Sequence, residues 1–276
     1  MSQRSHRPVK GTLIIIGGHE ERSKDGDRRI LKEVACRAGR NEALVILTVA
    51  SASHPEVGDE YVDIFSDLGV RNARVLPLRS REEASNPDVV KQLADAAVVF
   101  FTGGDQLRIT SQLGDTPTYT SLHELYSRGA TIAGTSAGAA VMSQTMLVGG
   151  RGDESLEISA LRMAPGLGFL EQAVLDSHFA ERGRFGRLLG AVAQNPANLG
   201  LGLDEDTAII VERGQTFRVM GSGGVYVFDA AGVTYSSLSE RQAEGIVTIH
   251  GVTLHVLAAD DCFDLRSRRP VPRPEV

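Results

Sequence analysis

Apolar residues recur along the first half of the chain in two alternating rhythms. Largely apolar runs occupy 12–16, 43–49, 73–78 and 97–101, and each has the length and branching of a buried strand. Between them, apolar positions are spaced by three and four. Ile30, Leu31, Val34 and Ala35 predict a helix over 27–38. Segments 60–68, 88–93, 106–113 and 118–127 also read as helices, with Pro87 marking a helix start. A short strand at 131–133 closes this half. Apolar strands separated by helices predict a parallel sheet covered on both faces.

After about residue 200 the rhythm changes. Short strands are predicted at 207–211, 216–220, 224–228, 246–250 and 252–256, separated by glycine turns at 221–224 and 231–232. These are antiparallel strands that extend or flank the main sheet. No internal repeat is visible. The resulting organisation is a flexible tail over 1–10, one α/β domain over 11–265, and a flexible Pro- and Arg-rich tail over 266–276.

Composition narrows the function. The hydrophobic share, 42%, is enough for a real core, and the net charge of −6 argues against a nucleic-acid surface. Cys36 and Cys262 lie far apart and form no metal or redox motif, so they read as reduced thiols of a cytoplasmic protein. The first ten residues are polar and carry no secretory pattern, and no apolar run reaches membrane-spanning length.

The chemistry concentrates at Gly134-Thr135-Ser136-Ala137-Gly138. This G-x-S-x-G box follows a buried strand and precedes small residues able to start a helix. That is the setting of a nucleophile elbow, where a sharp strand-to-helix turn presents a serine hydroxyl. The alternative is a glycine-rich turn whose serine caps a helix. The amide of Ala137 would point at a developing oxyanion, and Gly104, in the Gly103-Gly104-Asp105 turn, is a candidate second donor. A third glycine turn, Gly17-Gly18-His19, falls at another strand end.

A serine nucleophile needs a base. Of the seven histidines, His178 stands out, because an apolar run (Val174, Leu175) delivers it after the elbow. Arg182, Arg184 and Arg187 follow and suit an anionic substrate. A carboxylate should orient the base. Glu205 and Glu154 are the two candidates, and spacing does not choose between them. The chain holds no H-E-x-x-H, C-x-x-C, G-x-G-x-x-G or Walker A pattern, so neither a metal nor a nucleotide cofactor has support.

Five blocks in order carry a resemblance over residues 11 to about 265: Ile16-Gly17-Gly18-His19, Phe101-Thr102-Gly103-Gly104-Asp105-Gln106, Gly134-Thr135-Ser136-Ala137-Gly138-Ala139, Asp176-Ser177-His178-Phe179 with the three arginines, and Gly202-Leu203-Asp204-Glu205. The chain resembles the cyanophycinases, in the serine peptidase family that also holds aspartyl dipeptidase (peptidase E). The resemblance implies a glutamine-amidotransferase-like three-layer α/β sandwich with serine in place of the cysteine nucleophile. It implies Ser136 as nucleophile, His178 as base and acid, and Glu205 as orienter, with Glu154 the alternative acid. Gly104 and Ala137 would form the oxyanion hole. Asp105, Asp176, Ser177, Arg182, Arg184 and Arg187 would meet the substrate. That substrate would be cyanophycin, a poly-aspartate with arginine on each β-carboxyl, cleaved to β-Asp-Arg dipeptides. A homodimer without cofactor is also implied. One departure is Ser177, which stands where these enzymes carry glutamine and shortens the polar side chain beside the base. Two other readings compete: an aspartyl dipeptidase, and a non-catalytic binding module of the same fold.

Overall fold

A computed structural model describes residues 11–51, 55–148, 161–239 and 246–272. In its first half, strands and helices alternate: β1 (Thr12–Ile16), α1 (Arg29–Ala38), β2 (Ala43–Leu47), α2 (Pro55–Asp67), β3 (Asn72–Leu76), α3 (Arg81–Ala84), α4 (Pro87–Leu93), β4 (Ala96–Phe101), α5 (Gln106–Leu113), α6 (Pro117–Ser127), β5 (Thr131–Thr135) and α7 (Ala137–Ala140). Then come β6 (Thr145–Leu147), β7 (Met163–Pro165), β8 (Ala173–Asp176), α8 (Phe185–Gln194), β9 (Leu199–Leu203), β10 (Thr207–Glu212), β11 (Thr216–Gly221), β12 (Val225–Asp229), β13 (Tyr235–Ser236), β14 (Ile249–His250), β15 (Thr253–Leu257), β16 (Cys262–Asp264) and β17 (Arg269–Val271).

The main sheet has nine strands in the order β17-β16-β11-β10-β1-β5-β4-β2-β3. The five strands from β1 to β3 in that order run parallel. Those on the β10 side are antiparallel. Alternate residues of each central strand feed opposite cores. Leu13, Ile15, Val45, Leu47, Val99 and Phe101 pack on one face. Ile14, Ile16, Leu44, Ile46, Val98 and Phe100 meet Ile30, Leu31 and Val34 of α1 and Tyr61 and Phe65 of α2 on the other. Burying each such side chain contributes about 1.5–3 kcal/mol, which explains why these strands read as nearly unbroken apolar runs. Helix starts follow local chemistry too. Asn86, Asp105 and Thr116 cap α4, α5 and α6 through their side chains, and Pro87 and Pro117 open two of these helices.

Apart from β13 and β14, which pair with each other, the late strands divide between two sheets. β10, β11, β16 and β17 extend the main one. β12 and β15 join β9 and β8 in a second, four-stranded sheet of order β15-β12-β9-β8. The expected C-terminal tail needs correction. Arg269–Val271 pairs with β16, and Arg268 reaches Asp229 at 2.6 Å. Proline is tolerated there because an edge strand needs backbone donors on one side only. Residues 1–10 and 273–276 lie outside the described residues. Among the described residues, no helix is long and apolar enough to cross a membrane.

Candidate active site

The site is assembled on the carboxyl end of β1. Three successive carbonyls there each accept one amide: Ile16 O from Ser136 N at 3.0 Å, Gly17 O from His178 N at 2.8 Å, and Gly18 O from Asp206 N at 2.8 Å. The loops after β5, β8 and β9 are therefore pinned to one short stretch of backbone. Gly18 has φ 107°, and a Cβ there would overlap the His178 ring, so only glycine lets the imidazole lie against this turn.

Ser136 forms the bend between β5 and α7 with φ 54° and ψ −112°. A non-glycine residue held there costs on the order of 1–3 kcal/mol. A Cβ on Gly134 would overlap the Gly138 carbonyl oxygen, so the tight crossing excludes a side chain at that position. The strained serine turns its hydroxyl toward His178. Its Oγ stands 2.9 Å from His178 Nε2, and His178 Nδ1 stands 2.6 Å from Glu205 Oε1. Asp204, next to Glu205, accepts from the amides of Ala180 and Gly224, each at 3.0 Å, and so ties the His178 loop to the second sheet.

Electrostatics sets the protonation pattern. Burial pushes the His178 imidazole below its ordinary 6.5; the Glu205 hydrogen bond pulls upward without overcoming this, and Arg182 repels a second positive charge. Burial alone would raise the Glu205 carboxyl, but hydrogen bonds from His178 and His19 outweigh it and hold it below its ordinary 4.5. A neutral imidazole next to a carboxylate carries its proton on Nδ1 and leaves Nε2 able to accept from Ser136. The hydroxyl, imidazole and carboxylate form the relay required for nucleophilic attack on an acyl carbon. Glu154, the other acid considered, lies outside the described residues.

Ala137 opens α7 directly after the serine. Its amide and that of Gly104 have no intramolecular acceptor among the described residues. Gly104 (φ 141°) packs on the Ala50 backbone, while Gly103 of the same turn faces the serine, where a side chain would begin 3.9 Å from Ser136 Oγ.

A cleft of about 680 Å³ opens over these groups. Five arginines line it: Arg22, Arg162, Arg182, Arg184 and Arg187. Asp176, only 2% exposed, holds two of them. Arg184 Nη1 donates to Asp176 Oδ1 at 3.2 Å and to the Ser177 carbonyl at 2.5 Å. Arg187 donates to both Asp176 oxygens, through Nε at 2.6 Å and through Nη2. Asp176 is thus a fixture for cations, with its carboxylate already engaged. Ser177 lines the cleft and is buried. Arg182 is exposed and has no ion-pair partner among the described residues. Asp105 lines the mouth and also caps α5, accepting from Leu107 N at 2.9 Å.

The model of peptidase family S51 matches residues 13–219. The chain belongs to peptidase family S51. Its curated relatives include cyanophycinases from Nostoc sp., 36% identical over 274 residues (99% of this chain, 91% of the relative), and Geminocystis herdmanii, 33% identical over 265 residues (95% and 97%). Among solved structures, a peptidase from an acI-B1 Actinobacterium superposes with a TM-score of 0.70 at 21% identity, covering 93% of this chain and 98% of that one, which shows a shared fold. This S51 chain is a serine-type peptidase.

Sequence patterns missed several residues of this S51 site. His19 Nδ1 lies 2.9 Å from Glu205 Oε2. Glu20, buried, accepts from Thr135 Oγ1 at 2.6 Å and from the Tyr61 hydroxyl, and pairs with Arg22 at 3.2 Å. The Arg22 guanidinium lies 4.7 Å over the Tyr61 ring. A signal for Glu20 was present, because a carboxylate at the end of an apolar strand must find donors nearby. Arg162 had none, since its approach to the cleft is purely tertiary.

Proposed function

We propose that this protein hydrolyses cyanophycin from a chain end and releases β-Asp-Arg dipeptides through an acyl-enzyme on Ser136. One observation carries the reading: the Ser136–His178–Glu205 relay lies within an arginine-lined cleft of a chain whose near-full-length relatives are cyanophycinases.

As substrate enters, His178 Nε2 takes the Ser136 proton while Oγ attacks the scissile carbonyl carbon. The amides of Ala137 and Gly104 receive the oxyanion. Protonated His178, stabilised by Glu205, then returns its proton to the leaving amine. Water repeats the cycle, with His178 as base, and frees the acid product and Ser136. Arg182 is exposed beside the base and grips the α-carboxylate of an arginine carried by the polymer. Arg184 and Arg187, fixed by Asp176, keep the cleft cationic, and Asp105 meets a substrate guanidinium at the mouth. On the same reading the enzyme works in the cytoplasm as a homodimer. Its two cysteines, Cys36 and Cys262, are not in disulfides, which suits a reducing compartment.

The test is product analysis. Incubation of the purified chain with insoluble cyanophycin should release soluble β-Asp-Arg, with turnover of Asp-X dipeptides far slower. Preferential cleavage of short Asp-X peptides would instead identify an aspartyl dipeptidase.

A further inference from the structure

The catalytic reading leaves one cleft histidine unused. His19 sits at the end of β1 with φ 47° and presents Nδ1 to Glu205 Oε2 at 2.9 Å. Its ring meets the His178 ring edge-on, with centroids 5.1 Å apart. Glu205 therefore joins two imidazoles, one through each oxygen. Donor atoms of the three residues all lie within 4.8 Å of one another. Two imidazole nitrogens and a carboxylate oxygen are a donor set suited to zinc and poorly suited to magnesium or calcium, which prefer oxygen ligands.

We propose that His19, His178 and Glu205 form an inhibitory Zn²⁺ site, with the ion bound by His19 Nδ1, His178 Nδ1 and Glu205, and water as fourth ligand. Bonds of about 2.0–2.1 Å in a tetrahedron place ligand atoms about 3.3 Å apart. The contacts at 2.6 and 2.9 Å must open slightly to admit the ion. The side chains able to move are those near solvent, His19 at 69% exposure and Glu205 at 27%, while His178 at 4% is the fixed ligand. Nearby charge is mixed. Glu181, whose Oε1 accepts the Glu205 amide at 3.1 Å, and the neighbouring Asp206 favour a cation, and Arg182 opposes it.

Inhibition follows from the tautomer. With zinc on Nδ1, the neutral ring keeps its single proton on Nε2, transferred through solvent. That nitrogen then donates and no longer accepts from Ser136. The inhibition rests on His178 being the base; the binding does not.

Calorimetric titration of ZnCl₂ into chelator-stripped full-length protein, paired with cyanophycin turnover, tests this. Wild type and Ser136→Ala should both bind one equivalent. Wild-type turnover should fall as the site fills and return with EDTA, and MgCl₂ should do neither. His19→Asn retains a residue tolerant of the left-handed backbone and removes the nitrogen ligand. It should bind zinc more than about tenfold more weakly, since removing even a residue that only orients a ligand costs about that much. Absence of binding, equal affinity in His19→Asn, or full turnover with zinc bound would overturn the proposal. Inactivity of the zinc-free enzyme on cyanophycin would contradict the functional reading alone, and calorimetry would still decide the metal site.

Discussion

An imidazole that takes a proton near neutral pH must be uncharged when substrate arrives. At His178, burial supplies that condition, and Glu205 determines which nitrogen remains open. The sign of the pH dependence follows. The base is competent above its own pKa, which burial has lowered from 6.5, so kcat/KM should rise with pH and reach half its plateau below pH 6.5 in chelated buffer. A half-rise above 6.5 would show that burial does not control this group. Glu205→Gln removes the charge and can donate its amide N–H to Nδ1, favouring the wrong tautomer. Steady-state kinetics should show kcat down by about 10⁴-fold, with the acid limb shifted further down because an upward pull is gone. A residue serving only as a surface ion pair would give neither effect.

β1 is the element on which the site depends, because its last carbonyls hold the chain at 136, 178 and 206. Gly18→Ala places a methyl group where the His178 ring lies and burdens a backbone at φ 107°. Misplacing a catalytic group by about 1 Å costs about 100-fold, so kcat should fall at least that far while the melting temperature drops by only a few degrees. Unchanged kcat in this variant would contradict the role given to β1. Much of this element structure was legible in the sequence. The buried strands of the parallel half announced themselves as apolar runs, and α5 fell at 106–113 as its spacing predicts. The second sheet was not legible. Leu199–Leu203 alternates leucine with glycine because Gly200 packs against Leu188 and Val192, and Gly202 against Phe179. Such a strand has no distinctive composition. β8 and α8 were likewise legible only as a run leading to His178 and as the arginines that follow it. At the site, Ser136 and His178 could be read because motif and setting coincide. Glu205 could be chosen over Glu154 only through the resemblance, since nothing in its spacing reveals the turn that brings it to Nδ1. Arg22 joins the site through tertiary contact alone, and the glycine turn that holds His19 was legible while its contact with Glu205 was not.

Across the whole molecule, charge is unevenly distributed. The chain carries a net −6, yet the cleft gathers five arginines around the serine. A cleft in which arginines outnumber carboxylates concentrates anionic groups, which suits the arginine α-carboxylates carried along the polymer better than a neutral peptide. The fold permits this because the β1 end, the glycine turn after β4, the elbow, and the loop leading into α8 converge from different parts of the chain on one rim. The most direct test of the account is cyanophycin turnover by wild type and Ser136→Ala, with circular dichroism confirming equal folding. The wild type should release β-Asp-Arg, and Ser136→Ala should be slower by about 10⁴-fold or more, since loss of the nucleophile removes the relay as a unit. A folded Ser136→Ala that releases dipeptide at the wild-type rate would contradict it.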